Sequence, residues 1–366
     1  MPRGPLLETL RTQWRATRPL LLLAATATAE RPGISAAGAT PFSRRLTAAA
    51  DAELLLLGPD RARPHALPPL PAGVSPALIT HVALGQLGLL PRLRVVDLGC
   101  PAAPAVPHWR LPPAEASGPA ACVSSGRAMP PGRVLALLKR GRRWGCLWPE
   151  REPLLLAECV PGGTTTAQAV LEGLGIPARG LVSGSLREPA HGLKRQLVAE
   201  GLAAAGLSIP AEPCAVLRAV GDPMQALAAG LLLGLAPRAV PVLLAGGSQM
   251  AAVLALALAL APADQRAALA NAATVATTAW VAEESGSDLA RLLGLIGERW
   301  GVNPQLLVAG LRFHGCRSLP LLDYERGYVK EGVGAGGVAV LWELAGREPA
   351  ALARACDEAC ARLGHA

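Results

Sequence analysis

Apolar positions along the chain fall into short runs and helical stripes, separated by glycine and proline breaks. Leu6, Leu7, Leu10 and Trp14 mark one side of an amphipathic helix over 6–18, and a strand follows over 20–27. Residues 54–57 are a second short buried run. Ser75 and Pro76 open a helix to about position 89, with Ser75 as N-cap and Pro76 at the first position. Residues 94–99 form a strand ending in Asp97 and Gly99, and 132–143 make a basic helix. Residues 154–157, bounded by Pro153, read as a buried strand, and 167–174 as a helix that Gly175 and Pro177 stop. A strand over 181–183 and a helix over 191–205, closed by Gly206, come next. Asp222 then caps a helix running to 235, with Pro223 at its first position. Residues 240–245 are a strand, and the break Gly246-Gly247-Ser248-Gln249 leads into a helix to about 260. A β-branched strand spans 273–281, Ser287 and Asp288 cap a helix to 300, and 306–311 is the last strand.

Strands and helices alternating at this spacing predict an α/β fold, a mostly parallel sheet with helices on both faces and ligands at the carboxyl ends of its strands. Three stretches interrupt the rhythm. Residues 32–41 are a loop too rich in small residues to be only a spacer, 58–72 is a proline-rich connection, and 101–130 carries seven prolines. A loop as long as the last is either functional or disordered.

At 366 residues the chain is long enough for one large domain or two. Its net charge of +8 raises the question of nucleic acid, but Lys is nearly absent and the Arg are scattered rather than set among aromatic residues, so that class fails. None of the eight cysteines forms a CxxC pair, and they read as reduced, mostly buried thiols with no metal site. The apolar stretch 240–261 is cut by Pro241 and the 246–249 break into pieces too short to cross a membrane, and Glu8 argues against a signal sequence. The expectation is a soluble, cytoplasmic protein.

Candidate chemistry begins at Pro161-Gly162-Gly163-Thr164-Thr165, a tight turn from a strand into a helix N-terminus. Glycines let backbone approach a ligand closely, and the first N–H groups of a helix lack internal partners, so the turn has the makings of a phosphate seat. An ordinary turn capped by its threonines has the same pattern. Gly332, Gly334 and Gly337 satisfy G-x-G-x-x-G, yet no apolar strand precedes them and too little chain follows for a dinucleotide fold. That leaves Glu331, set between Lys330 and a glycine run, as a candidate general base that nothing bulky shields, or else a surface Glu paired with Lys330 or Arg326.

Taken together, the stretches 158–169, 221–230, 241–250 and 328–334 resemble the nicotinate-nucleotide:dimethylbenzimidazole phosphoribosyltransferase family of cobalamin nucleotide-loop assembly. The likeness is to its divergent archaeal and cyanobacterial branch, through 32–39 and the Glu-Gly-Val-Gly-Ala-Gly-Gly ending at 331–337. The resemblance implies a Rossmann-like sheet in a catalytic domain over 20–325, and a small helical subdomain from the chain ends, 1–19 and 326–366. It implies a homodimer without a bound cofactor or metal. The implied reaction moves phosphoribose from nicotinate mononucleotide to an aromatic nitrogen base of the benzimidazole type, giving an α-ribazole phosphate and nicotinate.

The family's catalytic Glu falls on Glu331. Its nucleotide turn falls on Glu158, Gly162, Gly163 and Thr164, with Thr165 beside them and Glu158 facing a ribose hydroxyl. Lys194 matches a phosphate-reaching lysine, although a solvated helix lysine would look the same. Arg317 and Asp97 are weaker anchors for phosphate or carboxylate. The turn at Gly73 to Ser75 matches part of the acceptor pocket. Thr80 and His81 stand where the better-known branch has a glutamine, which leaves the acceptor open to adenine or another base. Two readings compete: a nucleotide-binding protein without transfer, and an NAD-dependent oxidoreductase resting on the Gly332 triplet.

Overall fold

A computed structural model describes residues 5–67, 70 and 72–363. Pro68, Pro69 and Pro71 of the proline-rich connection lie outside the described residues. Seven strands form one sheet: β1 (Arg18–Leu23), β2 (Arg94–Asp97), β3 (Trp109–Arg110), β4 (Leu154–Cys159), β5 (Val242–Ala245), β6 (Ala273–Thr277) and β7 (Gln305–Val308). Their order is β3-β2-β1-β4-β5-β6-β7, and every adjacent pair is parallel. The order reverses once, between β1 and β4, and in such sheets a crevice opens outside the carboxyl ends of the strands at that reversal.

The pleat sorts the apolar side chains into two cores. Leu20, Leu22, Leu154, Leu156, Val242 and Leu244 join the helices of residues 131–300 on one face. Leu21, Leu23, Leu155, Leu243 and Leu307 face the other way. There they pack with Leu54, Leu78, Leu341 and Leu352 and with Leu10 near the first residues described. Side chains from both ends of the described chain therefore cover the same face. Both faces are buried, which is why the strands are runs of apolar residues without polar alternation.

Several expectations change in detail. The run 54–57 is the last turn of a helix, Pro41–Leu57, opened by a capping box between Thr40 and Ser43. Residues 181–183 are not a strand: both sides of β4 are taken by β1 and β5, and the segment leaves a turn at Leu181 and brings Ser183 to the cavity wall described below. The strand expected over 273–281 stops at Thr277, where Thr278 caps a short helix, Ala279–Ala282. The irregular 101–130 region contributes edge strand β3. The helix after Ser75 starts at Ala77, with the Ser75 hydroxyl accepting the Ala77 N–H at 3.1 Å. The helix capped by Asp222 runs Pro223–Leu235, as expected. All eight cysteines are free. No helix among the described residues is long and apolar enough to cross a membrane.

Candidate functional site

A cavity of about 420 Å³ opens at the carboxyl ends of the central strands. β4 delivers Glu158 to its wall, and the chain then turns through Gly162 into the helix Gly163–Gly173. Gly162 has φ +79, the left-handed conformation that glycine adopts without strain. A Cβ on Gly163 would land on the carboxamide of Gln249, so the close packing of the turn on the next helix depends on that glycine. Gln249 belongs to the helix Ser248–Leu260 that follows β5, and Gly247, Ser248 and Gln249 also line the cavity. Two helix N-termini thus converge on one space, where their dipoles and backbone N–H groups favour an anion.

Glu331 lines the same cavity. Its Oε1 accepts the N–H groups of Gly332 and Gly336, at 3.1 and 3.0 Å. Its Oε2 accepts the Thr278 N–H at 3.0 Å and the Thr277 hydroxyl at 3.2 Å. Glu331 pairs with neither neighbouring cation, since Lys330 binds Glu284 and Arg326 binds Asp323. Burial raises its pKa above the ordinary 4.5, while the four donors pull the other way. Such a carboxylate is held in one orientation and is more basic than a solvated one.

The backbone that presents it is strained. Val329, Lys330 and Val333 have φ of +64, +67 and +52. The Lys330 N–H donates to the Tyr328 carbonyl and the Glu331 N–H to that of Val329, at 2.7 and 2.9 Å. These are two successive γ-turns of the rare hand, and residues held this way cost about 1–3 kcal/mol each.

Glu158 is buried, and its pKa is pushed up to about 8 by desolvation first, then by the charges of Asp222 and Glu331. Its Oε2 accepts from Gln249 Nε2 at 2.8 Å, while Gln249 Oε1 is buried without a protein partner. Asp51, from the helix Pro41–Leu57, supplies a third carboxyl to the cavity wall. It accepts the Ser75 hydroxyl at 2.6 Å, and burial raises its pKa to about 6. The acidic side chains on the wall are Asp51, Glu158 and Glu331, with no Lys or Arg among the lining residues, so only backbone and helix ends offer positive potential to an anion.

The remaining wall comes from several connections and helix ends. Ser35, Ala36 and Ala37 of the small-residue loop are pinned from behind by the Arg44 guanidinium, which donates to the carbonyls of Ala29, Ser35 and Gly38. Ser185 joins this loop to the next, its hydroxyl accepting the Ala36 N–H at 2.8 Å. An apolar end is built from Leu67, Val74, Pro76, Pro320, Val329 and Leu363.

Among the residues singled out from sequence, Glu331, Glu158, Gly162, Gly163, Thr164, Gly73 and Ser75 line this one cavity. The others stand off its wall. Thr165 is buried one residue further into the helix. Lys194 is buried behind the wall, its ammonium donating to the Ser183 carbonyl, and desolvation lowers its pKa to about 7. Thr80 and His81 turn into the protein, the Thr80 hydroxyl to the Val333 carbonyl at 2.9 Å and His81 Nδ1 to that of Leu55 at 2.9 Å. Arg317 is exposed near the start of the helix Leu319–Glu325. Asp97 binds its own turn through the N–H groups of Gly99 and Cys100. The Gly332 triplet enters the helix Ala335–Leu344 from a loop, with β7 ending far upstream, so the dinucleotide fingerprint has no strand. Among the described residues no group of three or more His, Cys, Asp or Glu is arranged to hold a metal.

Sequence reasoning did not single out Asp51, Gln249, Thr277, Thr278 or Arg44 as site residues. Thr277 ends β6, Thr278 follows it, and Gln249 lies in the first turn of the helix after β5, all at strand carboxyl ends where polar residues draw attention. Asp51 and Arg44 lie inside a helix and carry no local signal.

Residues 88–284 match the DBI_PRT family model, described as phosphoribosyltransferase. The chain is 55% identical over 349 residues to a UPF0284 protein of Parasynechococcus marenigrum (strain WH8102), spanning 94% of this chain and 86% of that one. It is 46% identical over 326 residues to a UPF0284 protein of Cyanothece sp. (strain PCC 7425 / ATCC 29141), with 88% and 85% covered. In three dimensions it is similar to CobT from Thermus thermophilus, with a TM-score of 0.60 at 21% identity over 96% of this chain and 90% of that one. A structure of nicotinate-nucleotide-dimethylbenzimidazole phosphoribosyltransferase from the same organism gives a TM-score of 0.57 at 20% identity, with 96% and 89% covered. At these identities the structural likeness speaks to the fold.

Proposed function

The chain belongs to the DBI_PRT phosphoribosyltransferase family and is a pentosyl-transferring enzyme; from that premise we propose that it moves phosphoribose from nicotinate mononucleotide to a benzimidazole-type base, a step of cobalamin biosynthesis. The observation that carries this reading is the placement of Glu331, in its four-donor cradle, on the same cavity as the Gly162 turn.

The donor phosphate sits at the N-termini of the helices Gly163–Gly173 and Ser248–Leu260, where the unpaired N–H groups lie. Glu158 and the free Oε1 of Gln249 meet the ribose hydroxyls. The planar acceptor lies against the apolar end, beside Val74, Pro76 and Val329. The C1′–N bond of the donor breaks with its electron pair going to the pyridinium nitrogen, so nicotinate leaves without help from an acid. One ring nitrogen of the base forms the new bond to C1′, and the N–H proton passes to Glu331. The same carboxylate faces the positive charge that develops on the sugar, and electrostatic support aimed at developing charge is the larger catalytic lever in a desolvated site.

Mass analysis of the products formed from nicotinate mononucleotide with dimethylbenzimidazole, adenine and other bases, each in turn, tests the proposal. Formation of a ribosylated base phosphate, with loss of nicotinate, is the expected result. Tight binding of the mononucleotide with no product from any base favours a binding protein on the same fold.

A further inference from the structure

Lys330 stands beside Glu331, yet its side chain leaves the cavity. It is 1% exposed, and its ammonium meets the Glu284 carboxylate at 2.6 Å and the carbonyls of Leu186 and Arg187 at 2.7 and 3.4 Å. Three acceptors match the three protons of an ammonium group. Glu284 is nearly buried as well, so each charge depends on the other for compensation.

What this ion pair joins gives it meaning. Glu284 follows directly on the short helix Ala279–Ala282, whose cap, Thr278, donates its N–H to Glu331 and its hydroxyl to the Lys330 carbonyl at 2.7 Å. Leu186 and Arg187 continue the loop whose Ser183, Gly184 and Ser185 line the cavity. The Val329 N–H bonds the Ser185 carbonyl at 3.1 Å. Between these anchors lie the two γ-turns of Val329 and Lys330, a backbone that persists only where its surroundings over-determine it. We infer that Lys330 is a positioning residue for the transfer reaction: clamped to Glu284 and to the 186–187 carbonyls, it holds the strained turns that aim Glu331 into the cavity. The inference rests on the phosphoribosyl-transfer reading for its kinetic consequence and on geometry alone for its structural one.

The test compares Lys330→Met, Glu284→Gln and the double variant with Glu115→Gln, which breaks the Arg140–Glu115 pair well away from the cavity wall. With nicotinate mononucleotide and dimethylbenzimidazole, each single clamp variant lowers kcat roughly 10²-fold with KM changed by less than about threefold, as expected when a reacting group is misplaced by a fraction of an ångström to an ångström. The double variant is no worse than the more affected single one, and Glu115→Gln keeps kcat. In the substrate-free proteins, hydrogen exchange speeds up in peptides covering 328–336 in the clamp variants, while the β4 and β5 peptides stay protected. Glu284→Gln keeps the shape of the site and decides the matter if Lys330→Met does not fold. Unchanged exchange over 328–336, or a kcat loss matched by Glu115→Gln, overturns the inference. Faster local exchange in a protein whose wild type makes no product overturns the transfer reading and leaves the clamp standing.

Discussion

The backbone N–H of Val333 donates to the carbonyl of Glu158 at 3.0 Å, which ties the loop carrying Glu331 to the strand end that opens the glycine turn. The proposed general base and the proposed anion cradle, from distant parts of the sequence, are thereby held in fixed relation through a main-chain bond rather than through mobile side chains. Glu331 also contributes to raising the Glu158 pKa, so the two carboxyls sense one another across the cavity.

Glu331→Gln keeps the size of the side chain but cannot take a proton, and its amide NH2 replaces an oxygen that accepts backbone N–H groups. We expect kcat to fall by ~10²–10⁴ while mononucleotide affinity stays within about threefold. Steady-state kinetics with calorimetric binding checks this, and wild-type turnover in the variant removes Glu331 from its role.

In the proposed mechanism Glu331 takes a proton and so must be ionised, and burial raises its pKa above 4.5. The acid limb of the kcat profile should therefore lie above the ordinary glutamate range, with activity lost as pH falls through it. A profile flat down to pH about 4.5 contradicts this assignment.

Asp51, Asp222 and Glu158 have pKa values raised to about 6, about 6 and about 8. A carboxyl whose pKa rises on folding binds its proton more tightly in the folded state. Its contribution is full below the unfolded value and is lost as pH climbs through the folded one. Thermal midpoints should drop between pH about 5 and about 8.5, and Glu158→Gln should flatten the upper part of that fall. An unchanged slope in the variant means that Glu158 is ionised in the folded protein.

Gly163→Ala drives a methyl group into the Gln249 carboxamide and disturbs the Gln249–Glu158 bond. Overpacking of this kind costs about 1–3 kcal/mol, and here it should also raise KM for the mononucleotide. Chemical denaturation and kinetics on one preparation separate the two effects. A variant of wild-type stability and KM would show that the turn does not need its close approach.

Asp222→Ala removes the N-cap of the helix Pro223–Leu235 and the partner of the buried Thr166 hydroxyl, 2.5 Å away. The combined loss should be about 2 kcal/mol or more. A lowered urea midpoint with unchanged denaturant dependence is the expected signature, and an unmoved midpoint contradicts it.

The parts of this molecule legible in its sequence are those set by local chemistry. Asp222-Pro223 and Gly206 bound their helices where expected, because a cap or a left-handed glycine acts within a turn. Gly162 likewise announced its turn. Residues 181–183 have the composition of a strand, but strandhood depends on a partner strand beside them, which no window of sequence reveals. Ser75 was legible through the helix it starts, whereas Thr80 and His81 were placed by correspondence, and the rotation of the helix turns them toward Val333 and Leu55. Asp51 and Arg44 went unread because their importance comes from loops that arrive from elsewhere. Glu331 stood out for its glycine surroundings, and three of the four groups that hold it are indeed backbone N–H.

The chemistry-bearing loop lies late in the chain, while the seat it faces is complete by the helix Ser248–Leu260. The same late stretch also supplies the helix Ala335–Leu344, whose Val338 and Leu341 cover one face of the sheet. Loss of the stretch after position 319 would therefore strip Glu331 from the cavity wall and Val338, Leu341 and Leu352 from the sheet face in one step.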